Sequence, residues 1–264
     1  MPLKVFKLDE PPSAPAIGIY GPTGVGKTTI ISTMPGTGVY IDVPTLEGGG
    51  FVIGDHAARI GAVKCEEWED LETIYWALAK RDFSELSQIE KARWYALDSA
   101  SGVHVLATRK VINERDRSLG ERPHQITLQE RGWISQLEAE MIFRFRSLPY
   151  WGIFIAQERT HGGNDNDVGP VQIGPDLPNG ALRPFRQSMT LLGRLDVVLT
   201  DRGKEVRQLR VGPAGGEYMV KARTRPGKRL PRVIENPNLG DIFRYMYADG
   251  PRPKAAKDSS TLSF

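Results

Sequence analysis

The chain has 264 residues, of which 40% are hydrophobic and 25% are charged, and its formal net charge is +3. These values are ordinary for a globular protein, and the absence of any run of about 18 uninterrupted apolar residues predicts that no segment spans a membrane. The single cysteine, Cys65, excludes an internal disulfide, and the four scattered histidines lack the spacing of zinc ligands, so we expect a protein of the reducing cytoplasm.

The first half of the chain alternates apolar strands with amphipathic helices. Residues 1–15 are rich in proline and form a predicted N-terminal lead-in. The hydrophobic pattern predicts strands over residues 16–20, 38–42, 93–98 and 151–156, and helices over 27–33, 66–80, 101–115 and 128–147. Pro35 and Pro149 follow two of these helices, as expected because proline cannot continue a helix.

The second half contains a long segment rich in glycine and proline. Residues 162–184 carry five glycines and four prolines, which predicts a long mobile loop. Beyond it the pattern predicts strands over 195–200, 205–211 and 218–223 and a helix over 239–247. Residues 249–264 are polar and are predicted to form a disordered tail. The succession of elements predicts one α/β domain over 16–248, with a mostly parallel sheet flanked by helices and additional C-terminal strands.

The strongest motif lies between the first strand and the first helix. The run from Gly21 to Thr28 reads G-P-T-G-V-G-K-T and matches the phosphate-binding pattern G-x-x-x-x-G-K-[ST] in full. Its glycines let backbone N–H groups converge on phosphates, Lys27 reaches the β- and γ-phosphates, and Thr28 offers a hydroxyl to Mg²⁺. The motif predicts that ATP and Mg²⁺ bind to Gly21, Pro22, Thr23, Gly24, Val25, Gly26, Lys27, Thr28 and Thr29.

Polar residues end two of the later strands, where ligands of parallel sheets bind. Asp98 follows an apolar strand and suits a carboxylate that orients Mg²⁺ through its water. Asp98 is followed by Ser99 and not by glutamate, which disfavours the ring ATPases of the AAA+ type. Gln157 ends the strand over 151–156, where an amide is suited to sense the γ-phosphate and to transmit its presence to the loop beyond.

Further short motifs follow the phosphate loop in a characteristic order. In sequence these are Tyr40-Ile41-Asp42, Glu47-Gly48-Gly49, Leu97-Asp98-Ser99, Ile153-Phe154-Ile155-Ala156-Gln157, Gly180-Ala181-Leu182, Leu195-Asp196-Val197-Val198 and Val220-Lys221-Ala222-Arg223. With this order, which covers most of residues 16–225, the chain resembles the RecA-like recombination ATPases. The compact size looks most like the phage-encoded, single-domain members associated with Sak-type single-strand annealing, which implies the cytoplasm of a bacterial host cell.

The resemblance implies roles for residues outside the phosphate loop. Glu47 corresponds to the glutamate that positions the attacking water, although four residues separate it from Asp42, so that Asp42 is the alternative. Lys221 and Arg223 lie two residues apart on a predicted strand and point to the same side. RecA-like proteins use basic residues at this point to reach the nucleotide of a neighbouring subunit.

Two regions are predicted to bind DNA. The loop that follows Gln157 corresponds to a DNA-binding loop of RecA-like proteins, with Arg159 and His161 as its candidate contacts. Between Tyr218 and Arg232 there are six basic residues and no acidic one, which is typical of a surface that binds phosphates. The candidate contacts in this second region are Arg225, Lys228, Arg229 and Arg232.

Together these features favour a DNA-dependent ATPase of phage-type recombination or single-strand annealing. We expect single-stranded DNA as a partner, self-association into a ring or filament with ATP between subunits, and an interaction with a single-strand binding protein. Two alternatives stay open. A small-molecule kinase would use the same loop with a lid supplied by Arg115, Arg117, Arg122 and Arg131, and a non-catalytic loader or adaptor would use ATP only to control assembly.

Overall fold

A computed structural model describes the chain over residues 14–43, 53, 55–56, 58–82, 92–119, 125–162, 170–200, 202–213, 216–248 and 250–256, with the backbone alone at 117–119. The strands in this part are β1 (Ala16–Gly21), β2 (Gly38–Asp42), β3 (Ile60–Lys64), β4 (Trp94–Asp98), β5 (Trp151–His161), β6 (Gln172–Pro175), β7 (Leu191–Leu199), β8 (Glu205–Arg210), β9 (Lys221–Ala222) and β10 (Val233–Glu235). The helices are α1 (Lys27–Ile31), α2 (Trp68–Lys80), α3 (Ala100–Leu119), α4 (Leu128–Arg146), α5 (Asn179–Ser188) and α6 (Leu239–Tyr247).

The described strands form one mixed, mostly parallel sheet. Its order is β10-β8-β7-β1-β5-β4-β2-β3, with β6 paired to β5 and β9 paired to β7. The pairs among β1, β2, β3, β4, β5 and β7 are parallel, whereas β6, β8, β9 and β10 pair antiparallel to their neighbours. The carboxyl ends of β1, β5, β4 and β2 therefore follow one another along one edge of the sheet, where ligands of such sheets bind.

Helices cover both faces of the sheet because successive strand residues point to opposite sides. On β1, Ile17 and Ile19 pack in a core with α1 and α6, whereas Ala16 and Tyr20 pack in a second core with α2, α3, α4 and α5. A sheet that is buried on both faces needs apolar residues at nearly every central position. This requirement explains why the central strands were recognisable as continuous apolar runs.

The predicted α/β class is confirmed, since a mostly parallel sheet is flanked by helices and followed by antiparallel C-terminal strands. The bounds of β2 and α6 agree with the prediction at both ends. The short edge strands β3 and β10 were not predicted. Each has only three to five residues and pairs with one neighbouring strand, so neither carries the long apolar pattern of a central strand.

The prediction of one loop over residues 162–184 is wrong in part. Residues 172–175 form β6, which pairs with the end of β5, and α5 begins at Asn179. Pro175 ends an edge strand and Pro178 is the N-cap of α5, and both positions tolerate proline, whereas Pro184 lies inside α5. Residues 163–169 of the predicted loop lie outside the described part of the chain.

The ends of the predicted domain are described only in part. Most of the lead-in, residues 1–13, lies outside the described residues, as do residues 257–264 of the predicted tail. Between these limits, Ala255 forms a β-bridge with Ile234, and the Lys254 ammonium lies 2.6 Å from the Glu235 carboxylate. The chain thus stays attached to β10 after α6. None of the described helices has both the length and the apolar character needed to cross a membrane.

Candidate nucleotide site

The phosphate loop leaves the carboxyl end of β1 in a conformation that depends on glycine. Gly24 and Gly26 have φ values of 82° and 90°, which side chains disfavour and glycine adopts freely. A Cβ atom on Gly21 would lie 2.2 Å from the backbone oxygen of Leu195 on β7. Three of the motif's residues are therefore glycines for identifiable backbone reasons.

Lys27 closes the loop from inside the protein. Its side chain is buried, with only 6% of the residue exposed. The ammonium group donates hydrogen bonds to the backbone oxygens of Gly21 (2.9 Å) and Pro22 (2.7 Å) and to Oε1 of Gln157 (3.0 Å). One positive charge is thereby fixed between the loop and Gln157, which lies within β5 and does not end it as predicted, because the strand continues to His161. This is the position from which an ammonium group can contact phosphate oxygens held by the loop.

Thr28 and Asp98 meet beside the loop. The Thr28 hydroxyl donates a hydrogen bond of 2.6 Å to Oδ2 of Asp98, and the Tyr40 hydroxyl donates one of 3.1 Å to the same oxygen. Burial raises the pKa of Asp98, whereas the two hydroxyl donors act in the opposite direction. A carboxylate that is costly to ionise in the folded protein is suited to a nearby cation, which would stabilise its charge. The arrangement fits a Mg²⁺ ion held through the Thr28 hydroxyl.

A second carboxylate lies on the strand next to Asp98. Asp42 ends β2 and is paired in register with Asp98 of β4. Burial also raises the pKa of Asp42, against the effect of the Lys64 ammonium, and the Tyr40 hydroxyl interacts with both carboxylates. Glu47, the predicted water-positioning residue, lies outside the described residues. Of the two candidates for that role, Asp42 is the one whose place beside the site is described.

Gln157 connects the site to the chain beyond β5. Its side chain accepts from Lys27, its N–H donates to the Ser101 hydroxyl at 3.1 Å, and its backbone oxygen accepts from the N–H of Asp176 at 2.8 Å. The Ser101 hydroxyl in turn donates to the backbone oxygen of Asp176. Gln157 thus joins the phosphate loop, the start of α3 and the segment after β6. A shift of the Lys27 ammonium would therefore alter the hydrogen bonds that join all three segments.

The predicted DNA contacts are divided between opposite ends of the sheet. Arg159 is exposed on the part of β5 that follows Gln157, 3.9 Å from the Asp176 carboxylate. His161 is buried, and its Nε2 lies 2.9 Å from the backbone oxygen of Pro175, so this ring supports the β5–β6 pair and presents little surface. The four basic residues Arg225, Lys228, Arg229 and Arg232 follow β9, at the amino end of β7. The two groups therefore do not form one surface.

Lys221 lies on β9, Arg223 follows this two-residue strand, and both line one cleft. Lys221 is paired in register with Leu192, which is itself paired with Gly18 near the start of β1. Both basic side chains are consequently distant from the phosphate loop of their own chain, which follows the other end of β1. The Lys221 ammonium donates to the backbone oxygens of Arg186 (2.7 Å) and Gln187 (3.1 Å) in the last turn of α5.

One residue beside the phosphate loop was missed by the sequence analysis. Nε of Arg207 on β8 donates a hydrogen bond of 3.2 Å to the backbone oxygen of Val25, 182 residues earlier in the chain. A Cβ atom on Gly26 would lie 2.6 Å from that same nitrogen. No local pattern indicates this contact, because Arg207 is simply an exposed position on an alternating strand. Arg207 thus bonds to the outer side of the loop, whereas Lys27 bonds to its inner side.

We expect Arg207→Gln to raise KM for ATP about tenfold while kcat changes much less. The reason is that a hydrogen bond from a charged group, worth about 1.5 kcal/mol, no longer holds the loop in its binding conformation. Steady-state kinetics of ATP hydrolysis measure both constants. Arg202→Gln is the matched control, since it removes an exposed arginine from the turn of the same hairpin. A tenfold fall of kcat with unchanged KM would contradict this role.

A hydrogen bond between a half-buried histidine and a buried glutamate joins α3 to α4 near the Gln157 contacts. Nδ1 of His104 lies 3.0 Å from Oε2 of Glu138, whose side chain is fully buried. The hydrogen bond to Glu138 raises the pKa of His104, and burial raises the pKa of Glu138. Asp176 raises the pKa of both groups. The folded protein therefore binds one proton within this pair more tightly than the unfolded chain does.

We expect this pair to make stability fall as the pH rises above about 6.5. A histidine whose folded pKa is raised contributes fully below its unfolded pKa, near 6.5, and loses that contribution as the pH passes its folded pKa. Urea unfolding of the wild type and of His104→Gln between pH 6 and pH 9 would measure the free energy of unfolding. The difference between the two proteins should shrink with rising pH. A constant difference, or an equal change in His56→Gln, would contradict the assignment.

Comparison of the chain with models of known protein families and with curated proteins gives no match. The function must therefore be inferred from the site itself. Its described parts are a loop with glycines at positive φ, a buried ammonium, a hydroxyl bonded to a strand-end carboxylate, and an amide from the strand between them. These groups fit a triphosphate with Mg²⁺.

Proposed function

We propose that this chain is a RecA-like P-loop ATPase that hydrolyses ATP with Mg²⁺ and acts on single-stranded DNA in phage-type recombination or annealing. One observation carries the proposal. The side chains of Lys27 and Thr28, adjacent in the motif, bond to Gln157 within β5 and to Asp98 at the end of β4. The phosphate loop is thereby connected to two polar residues whose types suit γ-phosphate sensing and Mg²⁺ orientation.

Each residue has a distinct part in the proposed reaction. Lys27 and the loop amides hold the β- and γ-phosphates, and Thr28 with Asp98 holds the metal. Mg²⁺, when bound there, offsets the charge of the phosphates. The oxygen of a water molecule forms a bond to the γ-phosphorus. At the same time the bond breaks between that phosphorus and the oxygen that bridges it to the β-phosphorus. Glu47, or Asp42 in its place, orients this water and accepts its proton.

The connection from Gln157 to the β5–β6 hairpin supports a link between ATP and DNA. Gln157 contacts Lys27 on one side and, through its backbone, Asp176 on the other. Beyond Gln157, β5 continues to His161 and pairs with β6, so the hairpin is rigidly attached to the residue that touches the phosphate loop. We propose that the segment between β5 and β6, with Arg159 beside it, contacts DNA in a manner that depends on the bound nucleotide.

The alternatives receive less support from the described residues. The kinase hypothesis used arginines near the end of α3 as a lid, but Arg115 is bonded to Asp116 at 3.0 Å and to Glu130 at 3.2 Å. A guanidinium held by two carboxylates is poorly placed to contact a phosphate. Self-association with ATP between copies, with Lys221 and Arg223 as the residues that reach it, stays a prediction, as does contact with a single-strand binding protein.

The deciding experiment measures ATP hydrolysis with and without single-stranded DNA, together with DNA binding at several salt concentrations. We expect release of free phosphate that DNA stimulates, and binding that weakens steeply with salt because phosphate contacts displace counterions. Transfer of phosphate to a small acceptor would identify a kinase. Nucleotide binding that changes oligomer size without turnover would identify an adaptor. Absence of DNA binding, or binding that is indifferent to salt, would refute the proposed function.

A further inference from the structure

A basic cleft lies at the end of the sheet opposite the phosphate loop. It has a volume of about 490 Å³ and is formed by α5, β9 and the start of β7. Its lining consists of Arg183, Arg186, Gln187, Leu192, Val220, Lys221 and Arg223. Four of these residues are cationic, and the described lining contains no aspartate or glutamate. Arg183 and Arg186 were not assigned any role by the sequence.

Among the described residues, no carboxylate forms an ion pair with the arginines of the cleft. In the described part of the chain, the ion pairs do not involve Arg183, Arg186 or Arg223. Burial, together with the positive charges of Arg223, Arg186 and Arg146, lowers the pKa of Lys221 to about 8. Several cations that repel one another in a concave site favour an anionic ligand. The cleft is therefore suited to phosphate groups.

The three arginines and the lysine contribute differently. Arg183, Arg186 and Arg223 are exposed, so their guanidinium groups can contact a ligand in solution. Lys221 is half-buried and is held by the backbone oxygens at the end of α5. Its ammonium fixes the helix end that carries Arg186. The arginines thus supply the contacts. Lys221 positions the end of α5 and adds to the positive electrostatic potential of the cleft.

The cleft continues into the basic segment that follows β9. The N–H of Arg223 donates to Thr190, just before β7, and the backbone oxygen of Arg232 accepts from Val211 and Gly212, just after β8. Because β8 runs antiparallel to β7, these points lie at the same end of the sheet. Basic residues thus extend along this end from α5 to the start of β10. A line of cations matches a linear polyanion better than it matches a single nucleotide.

We propose that Arg183 and Arg186 bind backbone phosphates of single-stranded nucleic acid, and that this cleft extends the DNA surface begun by Arg225, Lys228, Arg229 and Arg232. This inference rests on the proposed function and deepens its DNA-binding part. The described lining has no aromatic side chain on which a base could stack, so the contacts are independent of sequence. This part of the DNA surface lies at the end of the sheet opposite the ATP site and is separate from the proposed contact beside Arg159.

The test compares the wild type with the double variant Arg183→Gln/Arg186→Gln in titrations of a fluorescent oligothymidylate at several salt concentrations. Each lost phosphate contact reduces the salt slope by about 0.7, so we expect the slope to become less negative by about 1.4 and binding at about 0.1 M salt to weaken tenfold or more. The control Arg109→Gln/Arg131→Gln removes the same charge from exposed positions on α3 and α4. Circular dichroism melting checks that each variant is folded.

The outcomes separate this inference from the proposed function. If the wild type binds no single-stranded DNA, both are refuted. If the wild type binds and the double variant keeps its affinity and salt slope, only the role of the cleft is refuted. The double variant could instead bind DNA normally while its rate of ATP hydrolysis per molecule is lower and depends on protein concentration. In that case the cleft serves the nucleotide of a second copy, and the inference is overturned. An equal loss in the control pair would show a net-charge effect and would also overturn it.

Discussion

Lys27→Ala is expected to lower ATP turnover by about 10²–10³-fold, the largest effect of any single substitution proposed for this chain. The substitution removes the ammonium that lies between the loop and β5, and with it the charge that stabilises the phosphates during transfer. Nucleotide affinity should also fall by about 10–100-fold, the consequence of losing hydrogen bonds from a charged donor. Calorimetry with ATP and Mg²⁺, followed by turnover measurements, separates the two effects.

The control for this experiment is Lys80→Ala, which removes an exposed lysine from the end of α2. Both variants should give far-ultraviolet circular dichroism spectra like that of the wild type, so that a loss in Lys27→Ala reports on the site and not on folding. If Lys27→Ala retained wild-type turnover, the phosphate loop would not be the catalytic site and the proposed function would have to be abandoned.

Asp98→Asn is expected to lower Mg²⁺-dependent turnover by about 10–100-fold, the usual effect of removing a group that orients the ligands of a metal. An asparagine oxygen can still accept from Thr28 and Tyr40, which both donate to the same oxygen of Asp98. The substitution therefore removes the negative charge while it keeps these hydrogen bonds. Titration of turnover with Mg²⁺ should show that the variant needs more metal than the wild type.

The stability of Asp98→Asn supplies an independent check. Burial raises the folded pKa of Asp98, so its ionised form costs folding free energy near neutral pH and an uncharged amide avoids that cost. Without nucleotide, the variant should melt at a temperature no lower than that of the wild type. Asp241→Asn, on the surface of α6, is the control for loss of a carboxylate. A large drop in melting temperature for Asp98→Asn would indicate a structural role.

The geometry of the candidate nucleotide site was largely predictable because its parts are local or lie on neighbouring parallel strands. Gly21 to Thr28 are contiguous, and the strand before them is an apolar run that any reading of hydrophobicity detects. Asp98 and Gln157 were found because parallel strands place their carboxyl ends at one edge of the sheet. The bonds of Lys27 to Gln157 and of Thr28 to Asp98 then follow from the order β1-β5-β4.

Other features could not be predicted because they depend on partners distant in the chain. Arg207 meets Val25 only after the β7–β8 hairpin has folded beside β1. The segment over 162–184 was judged by its glycine and proline content, whereas the pairing of β6 with β5 decided its structure. Arg183 and Arg186 are ordinary helix-surface residues until β9 pairs with β7 and brings Lys221 and Arg223 beside them.

By itself the sequence predicted the chemistry of the strongest motif, because a glycine-rich turn between a strand and a helix is typical of a phosphate site and lies within eight neighbouring residues. The sequence also indicated the α/β class, because apolar runs predict the strands and the helical spacing of apolar residues predicts the helices. Only the tertiary structure decided that the two predicted DNA regions lie at opposite ends of the sheet and that four cations share one cleft. The physical reason is that strand pairing and helix packing, which no local pattern specifies, choose which distant side chains become neighbours.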